Sequence, residues 1–314
     1  MTQPLPAASP DSTVLTLAAP DGLRLAATRT GRRTTPATVV YIHGLLCDRH
    51  YWTPVTARVH ERLDGRITQI AYDQRGHGDS GRPHRRDHTT LHRLADDLDT
   101  VLAQATGSVI LVAHSAGALV AGAYATHHRA RACALSGLVL FNAGGEFPEF
   151  PCLPTHFRTL SRRIHRLRRG RFDAVAALAA TVLEHRFRRA SHRLGSKAPL
   201  ATGERRTDPR VSADVLEAYR GFHLDTEVAV DLRRVPSFVY AGERDRVVPP
   251  SQTVRLADKL WADFETIPAA GHSLPRSDPD RAAAAILDAL DVVYRSSRDD
   301  LAAAGADEWI DGAP

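Results

Sequence analysis

The chain has 314 residues, 43% of them hydrophobic and 25% charged, which is the balance of a globular protein with room for one large core and an insertion. No apolar run approaches the ~18 residues that a membrane-spanning helix needs, and residues 1–12, rich in Pro, Ala and Ser, lack the apolar centre of a signal peptide and read as a flexible leader. The net charge of +5 does not argue for a nucleic-acid partner: apart from Lys197 and Lys259 every basic residue is arginine, a bias that GC-rich coding produces.

Val14 to Leu17 and Leu23 to Thr28 flank Asp21-Gly22 and predict a hairpin. Strand-like runs follow near 38–42, 66–72, 108–113, 137–142, 236–241 and 263–267. Helical signals separate several of them. Thr53-Pro54 places proline at a first turn, Leu91, Leu94, Leu98, Val101 and Leu102 share a face, and Asp278-Pro279 opens a last helix striped by Ile286, Leu290 and Val293. This alternation predicts an α/β fold: a mostly parallel, doubly wound, eight-stranded sheet covered on both sides, with ligands at the carboxyl ends of its strands.

The alternation breaks over 146–232. A proline-rich exit, Phe147 to Pro154, precedes three amphipathic patterns: Phe157, Leu160, Ile164 and Leu167; Phe172, Val175, Leu178 and Val182; and Val215 to Phe222. Between 158 and 193 eleven arginines stand against Asp173 and Glu184, either as a solvated helix face or as a patch making weak contact with an acidic substrate or anionic lipid. The expected organisation is a leader (1–12), a core (13–145 and 233–297), a helical insertion (146–232) and an acidic tail (298–314). His84, His88 and His92 lie four apart, but the interleaved Arg85, Arg86 and Arg93 would repel a cation, so no metal is expected there. Cys47, Cys133 and Cys152 have no metal spacing and leave one thiol over in any pairing, as expected of a reducing cytoplasm.

Chemistry concentrates around Ser115. The run Val109 to Leu119 reads as strand, tight bend and helix, with the serine at the bend and small residues, Ala113 and Gly117, two positions away on each side. Read alone, the serine could simply cap the helix that follows. The string resembles the nucleophile elbow of the α/β-hydrolase family, usually G-x-S-x-G, with alanine in place of the first glycine. Three further segments match that family in order. Thr38 to Ile42 runs into His43-Gly44-Leu45, like its oxyanion loop; Asp73-Gln74-Arg75-Gly76-His77-Gly78-Asp79-Ser80 matches its D-x-R-G-x-G-x-S turn; and strands at 237–242 and 264–267 lead to Asp245 and to Gly271-His272, where the family carries its acid and base. Glu243 is a rival acid two residues from Asp245. In the D-x-R-G turn, Asp73 and Arg75 are expected to hold the loop beside the oxyanion strand, with His77 and Ser80 structural.

The resemblance covers nearly the whole chain outside leader and tail. It implies a serine hydrolase that cleaves a carboxylic ester through an acyl-enzyme, with Ser115, Asp245 and His272 catalytic, the backbone N–H groups of Leu45 and Ala116 as oxyanion hole, and His43, Gly44 and His114 as support. No cofactor and no metal are implied, and 146–232 takes the place of the family's helical cap. The implied partner is a small, apolar acyl substrate, in the cytoplasm. Thioesterase, lactonase or acyltransferase chemistry would use the same triad, whereas epoxide hydrolases and dehalogenases of the family carry aspartate at the elbow. A non-catalytic small-molecule receptor on the same fold is the alternative of a different class.

Overall fold

Eight strands, β1 (Ser12–Ala18), β2 (Arg24–Thr30), β3 (Ala37–Ile42), β4 (Thr68–Tyr72), β5 (Ser108–His114), β6 (Gly137–Phe141), β7 (Ser237–Gly242) and β8 (Asp263–Ile267), form one sheet in the order β1-β2-β4-β3-β5-β6-β7-β8. The computed structural model describes residues 11–83, 89–147 and 209–303. The β1–β2 hairpin is antiparallel and joins β4 antiparallel; from β4 to β8 every pairing is parallel. The hairpin turns at Gly22, whose φ is 78°, a conformation glycine adopts without steric cost.

The described helices are α1 (Thr53–Leu63), α2 (Leu91–Leu102), α3 (Gly117–His127), α4 (Arg129–Cys133), α5 (Pro209–Arg220), α6 (Thr226–Leu232), α7 (Pro250–Leu260), α8 (Leu274–Ser277) and α9 (Pro279–Ala303), with a 3₁₀ turn at Arg49–Trp52. The two-residue period of the strands divides them between two apolar cores. Val40, Ile42, Leu111, Ala113, Leu138 and Leu140 pack with α2, α3, α5, α6 and α7. Val39, Tyr41, Ile110, Val112, Val139 and Phe141 face the other way, onto α1, α8 and α9. Because the central strands are buried on both faces, they read as unbroken apolar runs, as parallel strands between helical layers do. From α2 the chain returns to β5, on the opposite side of β3 from β4. Such a reversal opens a crevice at the carboxyl ends of the strands on either side, here β3 and β5.

Two expectations shift. The strand expected over 137–142 stops at Phe141, because Asn142 turns into the left-handed region at φ 51°. The last helix continues to Ala303, past the boundary expected between core and tail at 297. The segment between β6 and β7 is described up to Phe147 and again from residue 209 onward; its expected helices at 157–167 and 172–182, and its eleven arginines, lie outside the described residues. The helix expected over 215–222 is α5. It is followed by α6, a short helix that the apolar spacing did not announce, capped by the Asp225 side chain on the Glu227 amide at 2.7 Å. Among the described residues no helix is long and apolar enough to cross a membrane.

Candidate active site

Ser115 lies between β5 and α3 with φ 53°, a left-handed conformation that a non-glycine residue adopts only where its surroundings enforce it. Enforcement is visible on both sides. The Ser115 amide donates to the Phe141 carbonyl at 3.0 Å, tying the bend to β6. Gly117 lies so close to β3 that a Cβ there would come within 2.8 Å of the Ile42 carbonyl oxygen and 2.9 Å of that of His43, so a side chain at this position would drive the helix off the strand. The crowding that the sequence implied for residue 117 is therefore present. Gly44, beyond β3, lies against the same bend: a Cβ there would meet His114 Nδ1 at 2.9 Å and Ser115 Cβ at 3.3 Å.

Asp245 and His272 meet. His272 Nδ1 is 2.8 Å from Asp245 Oδ2, both side chains being buried. The other carboxylate oxygen, Oδ1, accepts the amides of Val247 (2.8 Å) and Val248 (3.0 Å). Burial by itself would raise the Asp245 carboxyl, but the facing imidazole, its hydrogen bond and the two amides outweigh it and hold the pKa below the ordinary carboxylate value. The carboxylate is thus charged, and it fixes the imidazole as the Nδ1–H tautomer, leaving Nε2 as the basic nitrogen. The rival Glu243 points elsewhere: it is exposed, and its Oε2 accepts the Ala269 amide at 2.7 Å.

His114, the residue before the serine, reaches the backbone of His272. Its Nε2 is 2.7 Å from the His272 carbonyl oxygen, its ring stacks on Tyr51 at 4.7 Å, and burial, reinforced by the nearby His272, pushes its pKa down to about 3. It is therefore a neutral donor that anchors the backbone of residue 272 to the serine elbow. Among the described residues no hydrogen bond joins the Ser115 hydroxyl directly to the His272 ring; the two segments meet through His114. Hydrogen bonds of this kind are commonly loose before substrate arrives.

The loop after β3 is braced from the neighbouring strand. Gln74 donates its backbone N–H to His43 Nε2 (3.1 Å) and its side-chain amide to the His43 carbonyl (2.7 Å). That leaves His43 Nδ1 protonated, and it donates to the Gly44 carbonyl at 2.8 Å. Burial lowers the His43 pKa to about 4, so it is a neutral brace. Among the described residues neither the Leu45 nor the Ala116 amide is engaged by an acceptor of the protein. Two amides left open at the mouth of the β3–β5 crevice, one at the start of α3, are suited to a negatively charged oxygen.

The D-x-R-G turn divides its labour differently from the sequence expectation. Asp73 does hold the oxyanion side: it accepts the Arg49 backbone N–H at 2.6 Å, pairs with the Arg49 guanidinium and accepts the Asp79 amide at 2.8 Å. Arg75 instead turns away, onto Asp97 of α2 (2.6 and 2.5 Å) and Asp21 of the hairpin (2.9 Å). A guanidinium so deeply buried needs two carboxylates, and the oxyanion strand has none to offer. Ser80 Oγ accepts the Ala26 amide and donates to the Asp73 carbonyl, and His77 Nδ1 bonds the Arg75 carbonyl at 3.1 Å; both are structural.

Sequence reasoning missed Asn142. Its side-chain amide donates to Asp245 Oδ2 at 2.8 Å and to the Gly271 carbonyl at 3.3 Å, tying the acid and base loops to the end of β6. The one available signal was a polar residue closing an apolar strand. It missed Tyr219 as well, whose hydroxyl reaches Gln74 Oε1 at 3.2 Å. His92 lies against His127, Nδ1 to Nδ1 at 3.1 Å, while His84 and His88 lie outside the described residues; among the described residues no group of three or more His, Cys, Asp or Glu is arranged around a metal position.

One close approach gives a direct test. Gly242 ends β7 where a Cβ would stand 2.6 Å from the Gly271 carbonyl oxygen and 2.7 Å from that of Ala270. Gly242→Ala is expected to cost ~1–3 kcal/mol of stability by overpacking and to lower turnover as the loop carrying His272 moves. Thermal melting and steady-state kinetics read the two effects, and an alanine variant that melts and turns over like the wild type would contradict the packing described.

Residues 39–285 match the sequence model of the Alpha/beta hydrolase family. Among solved structures the chain is similar to a thermophilic esterase from Thermogutta terrifontis, with TM-score 0.64 and 24% identity over 90% of this chain and 99% of that one. It is also similar to the enol-lactonase from Burkholderia xenovorans LB400, with TM-score 0.63 and 21% identity over 88% of this chain and 100% of that one. At these identities the likeness concerns the fold. Among curated proteins it is 27% identical to one named probable oxidoreductase EphD of Mycobacterium tuberculosis, over 87% of this chain and 48% of that protein. The chain spans about half the length of the curated relatives it matches.

Proposed function

Since the chain belongs to the alpha/beta hydrolase family, we propose that it is a serine hydrolase that cleaves carboxylic esters through an acyl-enzyme. The observation that carries this reading is the 2.8 Å bond between His272 Nδ1 and a charged, triply held Asp245, set at the carboxyl edge beside a serine in a forced left-handed bend. In the proposed reaction Ser115 Oγ attacks the acyl carbon while His272 Nε2 takes its proton. Asp245 steadies the imidazolium that forms. The carbonyl oxygen, now negative, receives the N–H groups of Leu45 and Ala116, each of which is worth about 3 kcal/mol in such a position. His272 returns its proton to the departing alkoxide. Water then surrenders a proton to His272 as it attacks the ester of Ser115; the bond from the acyl carbon to Ser115 Oγ breaks, His272 returns that proton to Oγ, and the acid leaves.

The segment 146–232 is assigned as a cap over this site, and the substrate as a small acyl ester with an apolar acyl group. The two open amides and the ordered imidazole favour an enzyme over a receptor, because a binding module has no use for a base held in one tautomer. Thioesters and lactones would react by the same steps. The test is exposure to a fluorophosphonate followed by peptide mass mapping. A single adduct on Ser115, absent from Ser115→Ala, is expected; no adduct, or one on another side chain, would overturn the assignment.

A further inference from the structure

We propose that Tyr219 is a positioning residue through which helix α5 aims the Leu45 amide; this deepens the hydrolase reading and rests on it. Tyr219 belongs to the chain between β6 and β7, yet its phenol is buried against the core and donates to Gln74 Oε1 at 3.2 Å. The orientation of the Gln74 amide is set by its shortest contact, since its nitrogen lies nearer the His43 carbonyl than the His43 ring (3.2 Å). Its side-chain nitrogen must face the His43 carbonyl (2.7 Å), an acceptor, so its oxygen must face Tyr219. The same residue holds the His43 ring by its backbone N–H, and that ring holds the Gly44 carbonyl at 2.8 Å.

The last link is covalent. The Gly44 carbonyl and the Leu45 N–H belong to one planar trans peptide and point in opposite directions. Whatever fixes the oxygen therefore fixes the direction of the N–H. The relay runs from Tyr219 through Gln74 and His43 to the Gly44–Leu45 peptide, and all four side chains or backbone groups that carry it are buried. Packing keeps α5 where the relay needs it: Val211, two turns before Tyr219, fills the space that any side chain at Gly76 would require, and the Tyr219 ring lies 6.2 Å from that of Phe147. Burial raises the phenol pKa, so the donor stays protonated across the working range of a histidine base. A substrate or ligand that unseats α5 would then release Gln74 and let the Leu45 peptide turn, coupling the inserted segment to the stabilisation of the oxyanion.

Tyr219→Phe keeps the ring and removes the donor. For a short-chain ester we expect kcat to fall about tenfold, equivalent to ~1.4 kcal/mol of transition-state stabilisation, with KM within twofold. The affinity of a trifluoromethyl ketone, which forms a negatively charged adduct on the serine, should fall by the same factor. A second substitution, Gln74→Met, added to Tyr219→Phe should cost less than the product of the two single effects, because both break one relay. Hydrogen exchange supplies the readout that does not need turnover: amides of the 43–47 segment should exchange faster in Tyr219→Phe. Unchanged kcat together with unchanged exchange would overturn the relay while leaving the hydrolase reading intact. A wild-type protein with neither turnover nor a fluorophosphonate adduct would instead overturn that reading, and exchange at 43–47 would still decide whether Tyr219 orders the loop.

Discussion

His272→Ala is expected to lower kcat/KM for a short-chain p-nitrophenyl ester by roughly 10⁴- to 10⁶-fold, the loss typical when the base of such a triad is removed. The reason lies in the local chemistry. A serine hydroxyl is a weak nucleophile at neutral pH, and in the proposed reaction His272, ordered by Asp245 at 2.8 Å, takes its proton. Ser115→Ala should cost about as much, and the double variant no more than either single one, because nucleophile and base act in one step. Asp245→Asn should cost less than removing the base yet still on the order of 10⁴-fold. An amide there can present N–H to His272 and so favour the wrong tautomer, while Asn142 loses its acceptor. Stopped-assay rates over a wide enzyme range would measure the series. A His272→Ala protein within tenfold of wild type would remove the imidazole from the chemistry.

The second large effect concerns acid. His43, His77 and His114 are fully buried, and burial pushes their pKa values down to about 4, 3 and 3. Histidine in an unfolded chain titrates near 6.5. Below that pH the unfolded chain takes up protons that the folded one refuses, so stability present above pH ~6.5 is lost as the pH falls toward the folded values. Asp97 works in the opposite direction: burial raises it to about 6 despite Arg75, so the folded state gains a proton there between roughly pH 6 and 4. The net uptake on unfolding near pH 5 is then about two protons, a slope of about 3 kcal/mol per pH unit. From pH 6.5 to 4.5 this removes about 6 kcal/mol, a large part of a typical total of about 5–15 kcal/mol. Urea midpoints at pH 7, 6, 5 and 4.5 would trace the fall. His77→Gln, outside the proposed chemistry, should flatten it by about one proton, or ~1.4 kcal/mol per unit. Equal midpoints at pH 7 and 5 would show that these histidines are not refused their protons.

The sheet was legible because its signals are local. The inner parallel strands are largely apolar runs ending in a turn, and each expected strand from 38–42 onward lies within two residues of its expected place. Ser115, Asp245 and His272 could be singled out as candidates for the same reason, since each lies in the bend or loop that follows a strand. What escaped depends on contacts between distant segments. Asn142 becomes meaningful only once β6 and β7 are neighbours and its backbone turns left-handed. Arg75 had carboxylates within reach on two sides, and the sequence does not say which pair would close on it. Gln74 and Tyr219 are 145 residues apart, and neither belongs to a recognisable string. Helix α6 is too short for its apolar period to stand out.

Every group assigned to the chemistry projects from the rim where β3, β5 and β7 end and from the loop after β8, while the turns at the opposite rim, such as 103–107 and 134–136, join helices back to strands. The carboxyl edge thus carries the proposed chemistry and, through His43, His77 and His114, the response to acid as well. Turns along the opposite edge can be recoded without touching either.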